Sequence, residues 1–303
     1  MKFKIATLVL LMGSLGLFLG CIASPSTGDT DNTKLKITTS FYPLAYFAQQ
    51  VVGDWGEVTS LTPTGTEPHA FEPSAKAVAS VYESDLFLFN GAGVDAWAKA
   101  LQEDLEPAGV KVIEMTSYFE LKKRSDEGGY DPHIWTDPVL AQNQIEVIRD
   151  ALISLDPEHA LTYQTNASET IAKLSALDAE FQTTLDSCSK DTIIVAHDAF
   201  QYPTDGYRIN IISITGLSPE SEPSAQKLAE LTELAKAHDI KTIFFEALSS
   251  PKLAQTLAEE VGATTLVLNP LEGLTDEQLE AGENYFSLMK TNLNNLSLAL
   301  ECQ

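Results

Sequence analysis

The amino-acid sequence predicts an α/β protein of two lobes, each with a mostly parallel sheet flanked by helices, joined by one long helix. Three observations lead to this fold class. Short apolar segments alternate with helical segments in both halves of the chain, a pattern that favours β-α-β units. A long helical segment without glycine or proline separates the two halves. The length of 303 residues is sufficient for two domains of ordinary size.

The first half of the chain contains four strand-like segments separated by helical ones. The strand-like segments are short, and β-branched or aromatic residues are frequent in them. The helical segments have apolar residues at intervals of three and four. The predicted strands are 36–40, 58–61, 86–89 and 110–113, and the predicted helices are 41–52, 74–83, 94–105 and 139–155.

The second half repeats the alternation after a helical segment at 158–187, which would extend about 45 Å as one helix of about 30 residues. We predict an N-terminal lobe over 35–157, this linking helix, and a C-terminal lobe over 188–303. The predicted strands of the second lobe are 192–196, 209–214, 242–246 and 265–268, and its predicted helices are 224–238, 251–261 and 282–300.

The N-terminus has the features of a secretory signal. Lys2 and Lys4 precede an uncharged, largely apolar run that ends just before Cys21. This pattern predicts a signal peptide over 1–20, and the run is short for a membrane span, although an uncleaved anchor is the alternative. The residues around Cys21 resemble a lipoprotein processing box, which implies that this cysteine is lipidated. We therefore expect an extracytoplasmic protein, anchored to the cell membrane by lipid through a flexible tether at 21–34.

Charge and cysteine content limit the partners and suggest a disulfide. The formal net charge is −24, which argues against nucleic acid or an anionic membrane surface as a direct partner. Besides Cys21 the chain has two cysteines, Cys188 and Cys302. Outside the cytoplasm an even pair can be oxidised, so we predict a disulfide, with two free thiols as the alternative.

The five histidines fall into two groups. His69 lies in a loop after a predicted strand, His133 lies just before a predicted helix, and His197 directly follows a predicted strand. Ligands of parallel α/β sheets bind beyond the carboxyl ends of the strands, and neutral imidazole is a good ligand for zinc. We therefore predict that these three bind a metal. His159 and His238 lie at helix ends and are expected to be solvated.

A tetrahedral zinc ion held by three imidazoles needs a fourth ligand. Glu246 and Glu272 both follow predicted strands, and their chemistry does not choose between them. A water molecule is the third option. It would leave an open coordination position and a free carboxylate as general base, so metal-dependent hydrolysis stays an alternative at this point.

Residues 35–300 resemble the metal-binding subunits of bacterial and archaeal ABC importers, the zinc and manganese cluster of solute-binding proteins. The resemblance rests on motifs that occur in order along nearly the whole chain. They are EPHAFEP at 67–73, DPHIWTDP at 131–138, AHDAF at 196–200, GLSP at 216–219, EPS at 222–224, LNPLE at 268–272 and AGENYFSLM at 281–289.

The resemblance implies the ligands and the fold. By their motif positions, His69 and His133 correspond to the first two ligands, and Glu272 corresponds to the fourth. The third ligand tends to be histidine in zinc members and glutamate in manganese members, and here it is His197. The resemblance also implies two α/β lobes bridged by a long helix, with the metal in the cleft.

The implied function is capture of Zn²⁺ and its delivery to an ABC transporter permease by a monomeric, non-catalytic protein. Import of Mn²⁺ or another divalent metal, and a role as a metal-containing surface adhesin, are the alternatives. Many zinc members carry a histidine-rich loop before the second ligand. Residues 121–130 contain no histidine, so the sequence does not indicate how zinc would be gathered.

Overall fold

The structure, a computed structural model, describes residues 34–123, 129–216, 219 and 221–303. Residues 34–303 form one compact unit. The predicted signal peptide, the lipidation site Cys21 and nearly all of the predicted tether lie outside the described residues. Among the described residues, no helix is both long enough and apolar enough to span a bilayer.

The first half of the described chain forms a four-stranded parallel sheet in the order β2-β1-β3-β4. All four residues of β3 are buried, as expected for an interior strand covered on both faces. At Gly56 a side chain would lie 2.5 Å from a Val52 methyl group, so only glycine lets β2 follow closely after the preceding helix. The elements are β1 Leu35–Thr39, α1 Tyr42–Val52, β2 Gly56–Ser60, α2 Ala75–Val81, β3 Leu86–Phe89, α3 Ala96–Leu105 and β4 Lys111–Glu114.

The second half forms another four-stranded parallel sheet, in the order β6-β5-β7-β8. In each sheet the strand that comes first in the chain lies between the second and the third. Two parallel sheets flanked by helices confirm the predicted fold class. The elements are β5 Thr192–Val195, α6 Gln201–Tyr207, β6 Asn210–Ser213, α7 Ala225–Ala237, β7 Thr242–Phe245, α8 Lys252–Val261, β8 Thr264–Val267, α9 Asp276–Glu280 and α10 Tyr285–Ala299.

Two long helices, α4 (Pro138–Leu155) and α5 (Ala160–Leu185), follow each other between the sheets in the chain. They pack against one another, and α5 also contacts α1 and α10. One buried apolar cluster includes side chains from both sheets and from all four of these helices. The predicted helix at 158–187 is therefore observed as α5, of 26 residues, after a short 3-10 helix at Pro157–His159. The lobe boundaries at 157 and 187 stay a prediction.

Two short helices were not predicted from the sequence. Helix α6 contains Pro203 and Gly206, which argue against a helix, but Pro203 lies in the first turn, where its missing N–H is tolerated. Helix α9 has only five residues, and it begins at a capping box in which Thr275 and Gln278 bond each other's backbone N–H groups.

The chain terminus is fastened to the start of the second sheet. Cys188 and Cys302 form a disulfide, and they lie just after α5 and α10, respectively. The backbone N–H of Lys190 also donates to the Leu300 carbonyl over 3.0 Å. The end of α10 is thus held next to the beginning of β5.

Candidate metal centre

The predicted ligands converge at the carboxyl ends of the two sheets. His69 lies in a 3-10 helix (Pro68–Ala70) after β2, and His133 directly precedes another after β4. His197 follows β5 by two residues, and Glu272 follows β8 by five. Each half therefore contributes two of the four residues, and the structure brings all four together.

Five of the six distances between the four candidate ligand atoms match a tetrahedral zinc site, and the sixth, between His69 and His197, lies within 4.8 Å. These atoms, Nε2 of each histidine and Oε1 of Glu272, all lie within 4.8 Å of one another. The edge of a tetrahedron is about 1.63 times the bond length, so zinc bonds of about 2.0–2.1 Å require edges of about 3.3–3.4 Å. Five of the distances between these atoms are His69–His133 3.3 Å, His69–Glu272 3.3 Å, His133–His197 3.4 Å, His197–Glu272 3.4 Å and His133–Glu272 3.5 Å.

The burial of these atoms also fits a bound cation. His133 and His197 are fully buried, and Glu272 is 1% exposed. The Glu272 Oε1 atom is buried without a well-formed hydrogen bond to any described residue. A buried carboxylate oxygen in this condition is costly unless a cation or proton lies beside it. A metal at the centre of the four atoms would satisfy it.

Two further carboxylates hold the outer nitrogens of the buried histidines. His133 Nδ1 lies 2.7 Å from Asp131 Oδ1, and His197 Nδ1 lies 2.5 Å from Glu246 Oε1. A neutral imidazole that donates from Nδ1 keeps the lone pair of Nε2 free for a metal. Glu246 therefore faces the outer side of His197, whereas Glu272 faces the centre.

The charges of the centre favour a cation. Burial alone would raise the pKa of Glu272, but the neighbouring imidazoles, His197 first, outweigh it and hold this pKa well below its usual value. Burial would lower the pKa of His197, but Glu246 and Glu272 hold it well above the usual value. Burial would also lower the pKa of His133, but hydrogen bonds to Asp131 and Glu272 raise it above the usual value. Protons thus balance the carboxylates until a metal takes their place.

The loop that bears His69 is held by Glu67. The two Glu67 carboxylate oxygens accept the backbone N–H groups of His69 and Ala70, each over 3.0 Å. Burial, followed by the nearby charge of Glu272, raises the pKa of Glu67. This cap at the start of the 3-10 helix fixes the backbone of His69, the least buried of the three histidine side chains at 10% exposed.

The loop that bears Glu272 is held by α10. The Asn292 side chain accepts the N–H of Asn269 over 2.8 Å and donates to its carbonyl over 2.7 Å. The Asn269 side chain in turn accepts the N–H of Leu271 over 2.8 Å. Leu271 is fully buried and has a φ of +60°, which is unusual for leucine and turns the chain toward the centre.

Trp135 connects the ligand loops of the two sheets. It lies two residues after His133, and its indole N–H donates to the Pro270 carbonyl over 2.7 Å. The Tyr285 hydroxyl, at the start of α10, donates to the Trp135 carbonyl over 2.7 Å. Both of these hydrogen bonds are buried. The position of His133 is thereby tied to that of Glu272.

The remaining histidines lie away from the centre. His238 is exposed at the end of α7, as predicted. The prediction of a solvated His159 is wrong, because this side chain is only 24% exposed. Its Nδ1 lies 2.6 Å from Asp156, and its ring stacks on Trp55 at 3.6 Å between centroids. Packing against Trp55 in the 3-10 turn that follows α1, which the local sequence does not reveal, explains the difference.

Three imidazoles and a carboxylate, buried where the loops of two parallel sheets meet, define an α/β metal-binding protein. The family can be stated as well. The chain belongs to the family described as zinc-uptake complex component A, periplasmic, which matches residues 37–299.

Individual relatives agree with this assignment. The high-affinity zinc uptake system protein ZnuA of Bacillus subtilis (strain 168) is 36% identical, over 98% of this chain and 96% of its own length. The zinc-binding lipoprotein AdcA of Streptococcus pneumoniae serotype 4 is 40% identical, but the matched part is only 60% of its length. The crystal structure of the Zn(II)-bound ZnuA-like domain of Streptococcus pneumoniae AdcA superimposes with a TM-score of 0.80 at 41% identity, covering 89% of this chain and 100% of that domain.

Proposed function

We propose that this protein captures zinc outside the cytoplasm and delivers it to the permease of an ABC importer. The observation that carries the proposal is the tetrahedral spacing of three imidazole nitrogens and one carboxylate oxygen in a buried centre. Membership of a zinc-uptake family supports the role in transport. The ligand set favours zinc, because manganese prefers more oxygen ligands.

The ligands we propose are His69, His133, His197 and Glu272. Four protein ligands complete a tetrahedral zinc ion and leave no position for an activated water. The centre is therefore suited to holding an ion rather than to turnover, and we expect no hydrolytic activity. Glu246 contacts Nδ1 of His197, which points away from the centre, whereas Glu272 contacts Nε2, which points into it. This arrangement supports Glu272 as the fourth ligand.

Direct metal analysis tests the assignment. We expect one zinc per chain, and a large loss of affinity when any of the three ligand histidines is replaced by alanine. His159→Ala and His238→Ala are the matched controls, because these residues lie outside the centre. Equal losses from all five substitutions would refute the assignment. Metal analysis of protein isolated from its own host, with zinc and manganese uptake in a deletion strain, tests the physiological metal.

We propose that the protein works as a monomer attached to the membrane through lipid on Cys21. The resemblance of the N-terminal sequence to a lipoprotein processing box supports the anchor. Two or more acyl chains give stable attachment where a single chain is marginal. Cys21→Ser is expected to abolish lipid labelling and release the protein from membranes. Labelling that persists in this variant would contradict the proposal.

Delivery requires that the bound metal can be released. Since each half of the chain contributes two ligands, we propose that zinc bridges the lobes 35–157 and 188–303 across the linking helix 158–187. Zinc is then expected to increase hydrogen-exchange protection at all four ligand loops together. Protection that rises in the loops of one half only would show that the metal does not bridge them.

A further inference from the structure

The segment that leads into His133 is held by a tyrosine from the second half of the chain. Tyr202 lies in the first turn of α6, five residues after His197. Its hydroxyl donates to the Asp131 carbonyl over 2.6 Å and accepts the backbone N–H of Lys122 over 3.1 Å. The N–H of Asp131 donates in turn to the Lys122 carbonyl over 2.9 Å. One phenol thus binds both of the backbone segments that meet just before the second histidine ligand.

The Tyr202 hydroxyl keeps its proton at neutral pH. The side chain is only 5% exposed, and burial, the largest cause, raises the pKa of Tyr202 to about 12. The hydroxyl is therefore a constant donor to the Asp131 carbonyl. The ammonium group of Lys122 lies 5.0 Å from the centre of the Tyr202 ring, and it forms an ion pair with Asp205 of the same helix over 2.6 Å. These contacts hold α6 against the segment before His133.

Asp131 connects Tyr202 to the imidazole of His133. Asp131 is fully buried, and its Oδ1 accepts the backbone N–H of His133 over 2.9 Å and lies 2.7 Å from His133 Nδ1. A displacement of Asp131 would therefore move the imidazole with it. The Thr136 hydroxyl adds a second link between the halves, because it lies 2.8 Å from the His133 carbonyl and 3.2 Å from the Ala199 carbonyl.

On the basis of the proposed zinc function, we propose that Tyr202 is a positioning residue that sets His133 against His197 before zinc binds. Tyr202 and His197 belong to one short stretch of the second half, whereas His133 belongs to the first half. The Nε2 atoms of the two histidines lie 3.4 Å apart, which matches an edge of a tetrahedral zinc site. Without the Tyr202 hydroxyl, the bound ion would have to restore this spacing itself, at a cost in affinity.

Tyr202→Phe tests the proposal, because it removes only the hydroxyl. Tyr207→Phe is the matched control. Tyr207 lies on the same helix, is 8% exposed, and donates its hydroxyl over 2.9 Å to Asp178 of α5, which carries no proposed ligand. Competition titration gives the affinity for zinc. The visible absorption spectrum of bound Co²⁺ reports the geometry of the ligands, which a general loss of stability would not change.

We expect Tyr202→Phe to weaken zinc binding about tenfold, the lower end of the range for outer partners of a metal ligand, because Tyr202 acts through Asp131. Its Co²⁺ spectrum should differ from that of the parent protein. Tyr207→Phe should match the parent protein in both measurements. Parental affinity in Tyr202→Phe, or equal losses in the two variants, would overturn the proposal.

A double-mutant cycle tests the route through Asp131. In an Asp131→Ala background the carboxylate that holds His133 is gone, so Tyr202→Phe should cost little further affinity. In a Glu246→Gln background, where the change acts on His197, Tyr202→Phe should weaken binding by the same factor as in the parent protein. The full loss in the Asp131→Ala background would refute the route.

A measurement on the metal-free protein separates this inference from the proposed function. In NMR spectra, the signal of the His133 Nδ1 proton should shift or exchange faster with water in Tyr202→Phe, and it should stay unchanged in Tyr207→Phe. An unchanged signal in Tyr202→Phe would contradict the positioning role. If the parent protein bound no zinc, the proposed function would fail, and the His133 signal would still decide whether Tyr202 positions this imidazole.

Discussion

Replacing Glu246 by glutamine distinguishes the two buried carboxylates of the centre. Glu246 is 3% exposed, and its Oε1 lies 2.5 Å from His197 Nδ1. Glutamine has the same shape, and its amide oxygen can still accept the Nδ1 proton. The negative charge that makes the imidazole a better ligand is lost. Loss of such an outer partner weakens metal binding by about 10- to 100-fold, or about 1.4–2.8 kcal/mol.

Glu272→Gln should cost more, because it removes a charged ligand. Structural zinc sites bind with about 10–16 kcal/mol shared by four ligands, or about 2.5–4 kcal/mol for each. The expected loss is therefore about 70- to 900-fold in affinity. The chemical change is the same in the two variants, since both exchange a carboxylate for its amide. Only their places around His197 separate them.

Competition titration against a zinc-chelating indicator at fixed pH and salt measures both losses. Glu103→Gln, an exposed carboxylate of α3, is the control for the change in net charge alone. Circular dichroism checks that the variants are folded. If Glu246→Gln weakens binding more than Glu272→Gln, the roles given to the two carboxylates are reversed and the geometric reasoning is refuted.

Three further predictions concern stability, pH and redox state. Trp135→Phe keeps a smaller aromatic ring but leaves the Pro270 carbonyl unpaired. The lost hydrogen bond alone should lower the free energy of unfolding by about 1–3 kcal/mol in urea denaturation, and unchanged stability would contradict its role. The pKa of His197 is raised in the folded protein, so its protonated form stabilises the metal-free fold at low pH. This stabilisation is lost as the pH rises through that raised pKa. Zinc competes with that proton, so the affinity for zinc should fall as pH decreases, and the fall should begin above about pH 6.5. An affinity that does not change between pH 8 and pH 5.5 would refute this. Thiol titration of unfolded, unreduced protein without the lipidation cysteine should detect no free thiol at Cys188 or Cys302; two reactive thiols would exclude the disulfide.

The strands and the meeting of His69, His133 and His197 could be predicted because their signals are local. Short apolar runs bounded by turn residues mark the strands, and His69 and His197 stand in the loops or at the ends that follow them. Parallel strands place their carboxyl ends at one edge of a sheet, so residues distant in sequence can be expected to meet. The same reasoning could not choose between Glu246 and Glu272, because both follow strands. Glu246 and Glu272 lie on opposite sides of the His197 ring, and only the three-dimensional structure shows this.

Other features depend on contacts between distant parts of the chain. The hydrogen bond from Trp135 joins residues that are 135 positions apart, and no local pattern marks it. The role of Asp131 also emerges only from the distance to His133, although its place two residues earlier in the motif is a signal that could have been used. The packing of His159 could not be predicted from its neighbours, because its partner Trp55 lies about a hundred positions away.

The fastening of α10 links the end of the described chain to the loop that bears Glu272. Asn292 of this helix holds the loop of Glu272 through two hydrogen bonds, and the disulfide at Cys302 fixes the end of the same helix. Reduction of the disulfide, or cleavage of the last residues, would let the helix end fray. The fraying would then reach Glu272, the proposed fourth ligand, through Asn292. A chain with a broken terminus would thus release its zinc more readily than an intact one.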